Sequence, residues 1–292
     1  MQSRQTLPGR QTAAYRILEF VALSGEFPTD RLSRLPGGEA YKAHVIQSLK
    51  QKHLLRTFYK DGLRGYRLTA KAKGLLTADR PERFLPYLAG AAETNHIKSE
   101  PARRQRLHRI AETAATMQNA GAAIFPDEKP EVFSPAWDGR PQIFITAPAF
   151  YNSREIKELG IEAVKIKGAR SAGVLLTESA VFVIYNLGGS LMKWQYRAEM
   201  RTKALMQTIL CRECPPEQYK PEAVKGLLLG DSMELAEAIL TGDGGKQYFL
   251  LDGSCEHFYC ITDDRKGEKL LKIMCSAELS EKLEALPLAD LW

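Results

Sequence analysis

The sequence contains no long hydrophobic run and few cysteines. No apolar stretch approaches the roughly 20 residues that span a bilayer, and the opening MQSRQTLPGRQTAAYR lacks the apolar core of a signal peptide. Only 5 of the 292 residues are cysteines, an odd and small number that argues against a disulfide framework. These absences predict a soluble, cytoplasmic protein that makes no membrane contact.

Motifs of several enzyme classes are also missing. The chain has no phosphate-binding loop of the form G-x-x-x-x-G-K-[ST], and its short glycine-rich segments at 188–190 and 242–245 are typical of turns. Its five histidines (44, 53, 96, 108 and 257) form no metal-binding cluster of the kind that a relaxase needs beside its tyrosine nucleophile. We therefore predict no catalytic residues and no cofactor.

The cysteines leave a structural zinc site open on spacing alone. Cys211 and Cys214 have the separation of one zinc knuckle, and His257 lies between Cys255 and Cys260. A strand over 257–263 would point the second set of ligands in different directions. Cys260 and Cys275 are typical of small core residues. The prediction is that no metal is bound.

Charge is divided unevenly between the two parts of the chain. Residues 1–120 hold 21 Lys and Arg against 10 Asp and Glu, a net charge of +11, whereas residues 121–292 carry −5. A basic part joined to an acidic part indicates a module that binds a polyanion, joined to a second module with another role.

The basic part begins with three helical patterns and two short patterns rich in aromatic and branched residues. Thr12 is a suitable N-cap for the first helix and Gly25 a suitable stop. Asp61-Gly62 separates the two last segments, and this dipeptide favours a hairpin because both turn residues need a positive φ. The predicted elements are helices at 12–24, 28–35 and 39–52 and strands at 54–60 and 63–69.

This order resembles a winged helix-turn-helix domain, which is a DNA-binding module of many bacterial transcription regulators. The resemblance is carried by AAYRILEFV, DRLSRL, YKAHVIQSLKQKHLL and RTFYKDGLRGYRLTAKAKG, and it covers residues 1–80. It implies that helix 39–52 enters the major groove of double-stranded DNA and that the hairpin contacts phosphates. The alternative use of such a domain is contact with another protein.

The phase of helix 39–52 predicts which side chains face outward. With Val45, Ile46 and Leu49 inward, His44 and Gln47 face outward, while Lys42 falls near the middle of the apolar stripe. The predicted DNA-binding residues are Tyr41, Lys42, His44, Gln47 and Ser48 on the helix and Lys60, Arg64 and Arg67 on the hairpin.

A cluster of basic residues follows the hairpin within a predicted helix. Its members are Arg103, Arg104, Arg106, His108 and Arg109. Such a run indicates either further phosphate contacts or a solvated helix face, and the sequence does not distinguish them.

The remaining chain predicts a helical connector, a linker and a mixed α/β domain, so the fold class is α+β. The connector spans 81–120, with helices at 81–90 and 101–120 after a shorter helix at 70–78. The linker at 121–141 holds four prolines. Residues 142–292 predict strands at 142–147, 163–167, 173–178, 180–186, 225–230, 247–252 and 257–263, and helices at 153–160, 195–210, 232–240 and 268–286.

Over most of its length the chain resembles replication-relaxation proteins of bacterial conjugative plasmids and integrative elements. The segments that carry this resemblance in the second half are residues 150–157, 167–174 and 183–186. The resemblance implies a non-catalytic, DNA-associated role in mobile-element replication or transfer. A bacterial transcription regulator fits the same residues.

Two other functions remain open at this point. The α/β domain is comparable to restriction-like nucleases in a degenerate form, since such enzymes need Asp and Glu-x-Lys on adjacent strands to hold Mg²⁺. Here 180–185 carries no carboxylate, and Glu155-Ile156-Lys157 falls on a predicted helix. Alternatively, the acidic domain docks a replication or transfer protein. Homodimerisation on two half-sites is compatible with the winged-helix prediction.

Overall fold

In a computed structural model, the chain folds as an α+β protein whose described residues are 6–89, 100–133, 141–156, 171–188, 196–241 and 253–276. It divides into two compact units. Unit 1 comprises residues 1–115 with 125–127, and unit 2 comprises 116–124 with 128–292. The α+β class predicted from the sequence is thereby confirmed.

Unit 1 contains helices and a small sheet. In chain order its elements are α1 (Ala13–Ser24), β1 (Phe27–Pro28), a 3₁₀ helix (Thr29–Arg34), α2 (Glu39–Gln51), β2 (Leu55–Lys60), β3 (Leu63–Leu68), α3 (Ala70–Asp79), α4 (Pro81–Leu88) and α5 (Pro101–Asn119), which continues beyond the unit boundary.

Helix α1 has the two termini that its sequence predicts. The Thr12 side chain accepts a hydrogen bond from the Tyr15 amide, and Gly25 ends the helix with a φ of 83°. Because a glycine lacks Cβ, it enters this left-handed conformation without the cost that other residues incur. Between these ends, Ile17, Leu18 and Phe20 are buried in the unit 1 core.

The sheet of unit 1 is antiparallel and has the order β1-β3-β2. Strands β2 and β3 form the predicted hairpin around Asp61-Gly62. Both turn residues have a positive φ, 52° for Asp61 and 74° for Gly62, as a tight two-residue hairpin turn requires. The prediction of a hairpin at this position is confirmed.

Unit 1 extends past the boundary predicted at residue 80. Helix α5, assigned from the sequence to a separate connector, sends Arg104 to the hairpin, where its guanidinium donates hydrogen bonds to the carbonyls of Lys60 and Leu63. The first part of the predicted connector therefore belongs to the same compact unit as the hairpin.

Unit 2 is built on a five-stranded sheet of order β4-β5-β6-β7-β8. The first two pairings are antiparallel and the last two are parallel. Its elements are β4 (Ala149–Asn152), β5 (Gly173–Leu176), β6 (Val181–Gly188), α6 (Tyr196–Glu213), β7 (Val224–Gly230), α7 (Met233–Thr241), β8 (His257–Ile261) and α8 (Arg265–Met274).

Strand β6 lies in the middle of this sheet. Its residues 181–187 are all buried, as expected of a strand covered on both faces. Strands predicted at 173–178, 180–186, 225–230 and 257–263 are confirmed as β5 to β8. The predicted strands 163–167 and 247–252 and the end of the helix 268–286 lie outside the described residues.

The start of unit 2 differs from the prediction. Residues 142–147 form no strand, because their backbone groups bond to partners outside a sheet. The Gln218 side-chain amide accepts a hydrogen bond from the Ile145 amide and donates one to the Ile145 carbonyl. The Ile143 amide donates to the Glu213 carbonyl. The strand is instead β4, which the sequence reading missed. The described part of the predicted helix 153–160, residues 153–156, forms a turn ending in a 3₁₀ residue.

The proline-rich segment 121–141 is packed rather than free where it is described. Phe125 lies in the core of unit 1 against Phe20, whereas Val132 and Phe133 belong to the core of unit 2. Ala123 forms an isolated parallel bridge with Ala149, the first residue of β4. The predicted linker is therefore corrected to an ordered segment through residue 133; residues 134–140 lie outside the described ones.

Among the described residues, no helix combines the length and the apolar character that crossing a membrane requires.

Candidate nucleic-acid interface

Helix α2 exposes the side chains that the phase argument predicts. His44 and Gln47 are exposed, Tyr41 is 54% exposed, and Ser48 is half-buried. The opposite side of the helix is fixed in the core by Val45, Ile46 and Leu49. The outward side is therefore a polar surface with one aromatic ring, displayed by a helix whose orientation is set by burial.

Lys42 is the exception, and its assignment to this surface is corrected. It is only 4% exposed, and its ammonium donates hydrogen bonds to the carbonyls of Leu32 and Leu35 at the end of the 3₁₀ helix. The aliphatic stem occupies the apolar stripe while the charge satisfies carbonyls that the 3₁₀ helix leaves open. Lys42 thus positions α2 instead of facing outward.

The hairpin exposes one aromatic and one basic side chain on the side of the sheet that faces α2. In the register, Tyr59 lies opposite Arg64 and Thr57 opposite Tyr66. Because alternate residues share a face, Tyr59, Arg64 and Tyr66 lie on one side of the hairpin. Lys50 of α2 sits 5.2 Å from the Tyr66 ring centroid on that side. Tyr59 is 69% exposed and Arg64 is exposed.

Arg67 lies on the other side of the hairpin, and its predicted phosphate contact is corrected. Its guanidinium forms a 2.6 Å ion pair with the buried carboxylate of Glu26 and lies 3.9 Å from the centroid of the Phe58 ring. Burial lowers the pKa of Arg67, an effect that the hydrogen bond and charge of Glu26 oppose. Lys60, beside the turn, is exposed.

A buried ion cluster around Glu26 fixes the hairpin to the rest of unit 1. Arg104, with no exposed surface, donates to Glu26 at 2.6 Å, and the His108 imidazole lies 2.9 Å from the same carboxylate. Two of the five members of the basic cluster, Arg104 and His108, therefore point into the protein. Gly65 accommodates the cluster, because a Cβ there would collide with the Glu26 carboxylate.

The cluster holds Glu26 ionised. Burial alone would raise the pKa of Glu26, but hydrogen bonds from His108, Arg104 and Arg67 outweigh it and lower the pKa to about 2, from an ordinary value of 4.5. Since the folded pKa lies below the unfolded one, Glu26 stabilises unit 1 above about pH 4.5. This stabilisation is lost as the pH falls towards 2.

Replacing His108 with Ala is expected to move the acid-induced loss of unit 1 stability to higher pH. The variant removes one hydrogen bond to the carboxylate, so the pKa of Glu26 rises towards its ordinary value. Urea denaturation followed by far-UV circular dichroism between pH 5 and 2 measures the shift. His44→Ala removes an exposed imidazole and serves as the control. Identical pH profiles for the two variants would contradict the assignment.

Unit 2 provides no counterpart of a nuclease centre among its described strands. Strands β5 and β6 contain no carboxylate. Glu155 instead accepts hydrogen bonds from the backbone and side-chain amides of Asn152, and it pairs with Lys129 at 2.8 Å. Lys157, the other half of the Glu-x-Lys letters, lies outside the described residues. Glu155 therefore belongs to a structural cluster.

Among the described residues, the pair with zinc-knuckle spacing gathers no third Cys, His, Asp or Glu into a group that could hold a metal. Cys211 is exposed, whereas Cys214 is buried and its burial raises the thiol pKa to about 11. Cys260 donates a hydrogen bond to the Gly267 carbonyl, and burial raises the pKa of Cys275 to about 12.

Sequence reasoning missed Tyr59, the most exposed large hydrophobic side chain among the described residues. Its signal was present, since the alternation of the hairpin pairs it with Arg64 across the strands. Together with His44, Gln47 and Arg64, Tyr59 completes a set that we call the α2–hairpin face: Tyr41, His44, Gln47, Tyr59 and Arg64.

Comparison of the chain with protein-family models, with curated proteins and with solved structures gave no significant match.

Proposed function

We propose that unit 1 is a winged helix-turn-helix domain that binds double-stranded DNA, with α2 in the major groove and the β2–β3 hairpin as its wing. The observation that carries the proposal concerns the α2–hairpin face: α2 exposes His44 and Gln47, which suit base edges, and the hairpin exposes Arg64, which suits a phosphate, on its side toward α2. The order of helices and strands and the sheet order β1-β3-β2 support the same domain type.

The chemistry of the face matches the two kinds of contact that such a domain makes. Gln47 offers an amide that pairs bidentately with adenine, and His44 offers a ring nitrogen to a base edge. Arg64 on the wing supplies a cation for a phosphate, and Tyr59 beside it provides a hydroxyl and an apolar ring. The basic balance of residues 1–120 adds long-range attraction for a polyanion.

The proposed role of the whole chain is a non-catalytic one, in a bacterial transcription regulator or an accessory protein of mobile-element replication or transfer. It is supported by the basic unit 1 combined with an acidic second unit, in which the described strands lack the carboxylates of a phosphodiester enzyme. Unit 2 would then serve regulation or attachment.

Fluorescence anisotropy with labelled duplex DNA tests the proposal on the full chain. Binding is expected, with an affinity that falls steeply between low and physiological salt because phosphate contacts release counterions. No binding at low salt, or binding that ignores salt, would contradict it. Cleavage of supercoiled plasmid that requires Mg²⁺ would replace it with the nuclease alternative.

Within this domain, Gln47→Ala and Arg64→Ala are expected to act differently. After a preferred sequence has been selected, Gln47→Ala is expected to cost about 1–3 kcal/mol on that sequence and little on random DNA. Arg64→Ala is expected to weaken both complexes by similar factors and to reduce the salt slope by about one unit. The measurement is a salt series with both variants on both DNAs.

Arg265→Ala, which removes an exposed arginine of unit 2, is the control for a general loss of charge. If Gln47→Ala weakens binding to the selected sequence and to random DNA equally, α2 does not contact base edges through this residue. If Arg64→Ala lowers DNA affinity no more than Arg265→Ala does, the hairpin is not part of the DNA interface.

A further inference from the structure

Three side chains of unit 2 bring a sulfur, a nitrogen and an oxygen donor together. Glu199 lies in the first turn of α6, while Cys255 and His257 lie two residues apart where the chain enters β8. Their ligand atoms all lie within 4.8 Å of one another. We propose that Glu199, Cys255 and His257 form a zinc-binding site.

The distances suit zinc after small side-chain movements. Zinc bonds to nitrogen, oxygen and sulfur are about 2.0–2.3 Å long, so the ligand atoms of a tetrahedral site lie roughly 3.3–3.8 Å apart. The His257 imidazole and the Glu199 carboxylate are in hydrogen-bond contact. An entering ion separates these two groups slightly and draws in the Cys255 sulfur.

The donor set selects zinc over the hard cations. Magnesium and calcium prefer sites composed of oxygens, whereas thiolate and imidazole suit zinc. One thiolate and one carboxylate balance the two charges of Zn²⁺ when the histidine is neutral. This balance matters because Glu199 is 3% and His257 is 7% exposed, and a net charge at that depth is costly. Three protein ligands leave the fourth position to water.

The surroundings keep the three ligands in place. Gly226 of β7 pairs with His257 in the sheet, and a Cβ at this glycine would collide with the imidazole ring. Lys203 of α6 donates a 2.7 Å hydrogen bond to the Ser254 carbonyl, which ties the helix to the segment that carries Cys255. Zinc at this position links α6 to β8.

Binding has a defined proton balance. The Cys255 thiol loses its proton to solvent as its sulfur bonds to the metal, and the neutral imidazole coordinates through Nε2 with its proton on Nδ1. The affinity for zinc is therefore expected to fall as the pH is lowered.

Cobalt substitution in the full chain tests the site. After treatment with a chelator, addition of Co²⁺ is expected to give about one bound ion per chain and a thiolate-to-cobalt charge-transfer band, which Zn²⁺ abolishes by displacement. Cys255→Ser is expected to remove this band, and His257→Gln is expected to weaken Co²⁺ binding more than about tenfold. Cys211→Ser, which changes an exposed cysteine, is expected to leave both unchanged.

Because Cys255 is only partly buried, its replacement by serine is the variant best tolerated by the fold, and circular dichroism verifies that the protein remains folded. A chain that binds no Co²⁺, or a charge-transfer band that persists in folded Cys255→Ser, would overturn the proposal. Loss of the charge-transfer band in Cys211→Ser would contradict the proposal as well, because it would indicate that the metal binds at Cys211 and Cys214. The proposal does not depend on DNA binding by unit 1.

Discussion

Arg104→Ala is expected to lower the free energy of unfolding of unit 1 by about 3–5 kcal/mol, the cost of breaking a buried ion pair by removing one of its partners. The Arg104 guanidinium donates to Glu26 and to the carbonyls of Phe58, Lys60 and Leu63. Its removal leaves those carbonyls with one donor fewer. The ionised Glu26 is then held by Arg67 and His108 alone.

Hydrogen exchange measured by mass spectrometry on the full chain reads this effect in peptides of α1 and the hairpin, separately from unit 2. Arg16→Ala, which removes an exposed arginine of α1, is expected to change stability by no more than about 0.5 kcal/mol. If Arg104→Ala behaves like Arg16→Ala, the hairpin is not anchored by the cluster around Glu26.

Lys129→Ala is expected to destabilise unit 2 by about 3–5 kcal/mol, for a related reason. The Lys129 side chain is 2% exposed, and its ammonium pairs with Glu155 and donates to the carbonyls of Ile124 and Phe150. These bonds join the proline-rich segment to β4. Burial lowers the pKa of Lys129, and the charge of Glu155 opposes that change.

Hydrogen exchange in peptides that cover β4 and β5 measures the destabilisation of unit 2. Peptides of unit 1 are expected to keep their wild-type protection from exchange. Lys220→Ala removes an exposed lysine of the same unit and is the matched control. A Lys129→Ala protein whose β4 peptides exchange at the wild-type rate would show that the ammonium contributes no net stabilisation there.

The surface of α2 was predictable because it depends on local periodicity alone. Val45, Ile46 and Leu49 define a helical phase, and that phase correctly turns His44 and Gln47 outward. The same phase indicated that Lys42 was misplaced on the outside. The sequence did not identify the acceptors of the Lys42 ammonium. The carbonyls of residues 32 and 35 become available only because the preceding 3₁₀ helix ends beside Lys42.

The opposite orientation of Arg64 and Arg67 was predictable from the sequence, but our interpretation of the hairpin did not use it. Arg64 and Arg67 are three residues apart, so in a strand with a period of two they face opposite sides. Both were assigned to phosphate, yet only Arg64 is on the side of α2. By contrast, the partner of Arg104 is 78 positions away along the chain, and no local pattern links it to Glu26.

The edges of unit 2 could not be predicted for a similar reason. The residue types at 142–147 are typical of a strand, but a strand forms only where the backbone of a neighbouring strand supplies hydrogen-bond partners. Here the Gln218 side chain bonds to both the amide and the carbonyl of Ile145. The central strand β6, buried along nearly its whole length, was recognisable from its hydrophobic run.

The missing side chain at Gly65 couples four positions of unit 1 energetically. Any larger residue there requires Glu26 to leave its place, and a chain without the Glu26 carboxylate leaves Arg67 and Arg104 with unbalanced charges. We therefore expect substitutions at positions 26, 65, 67 and 104 to be non-additive in their effect on the stability of unit 1, because each changes the surroundings on which the other three depend.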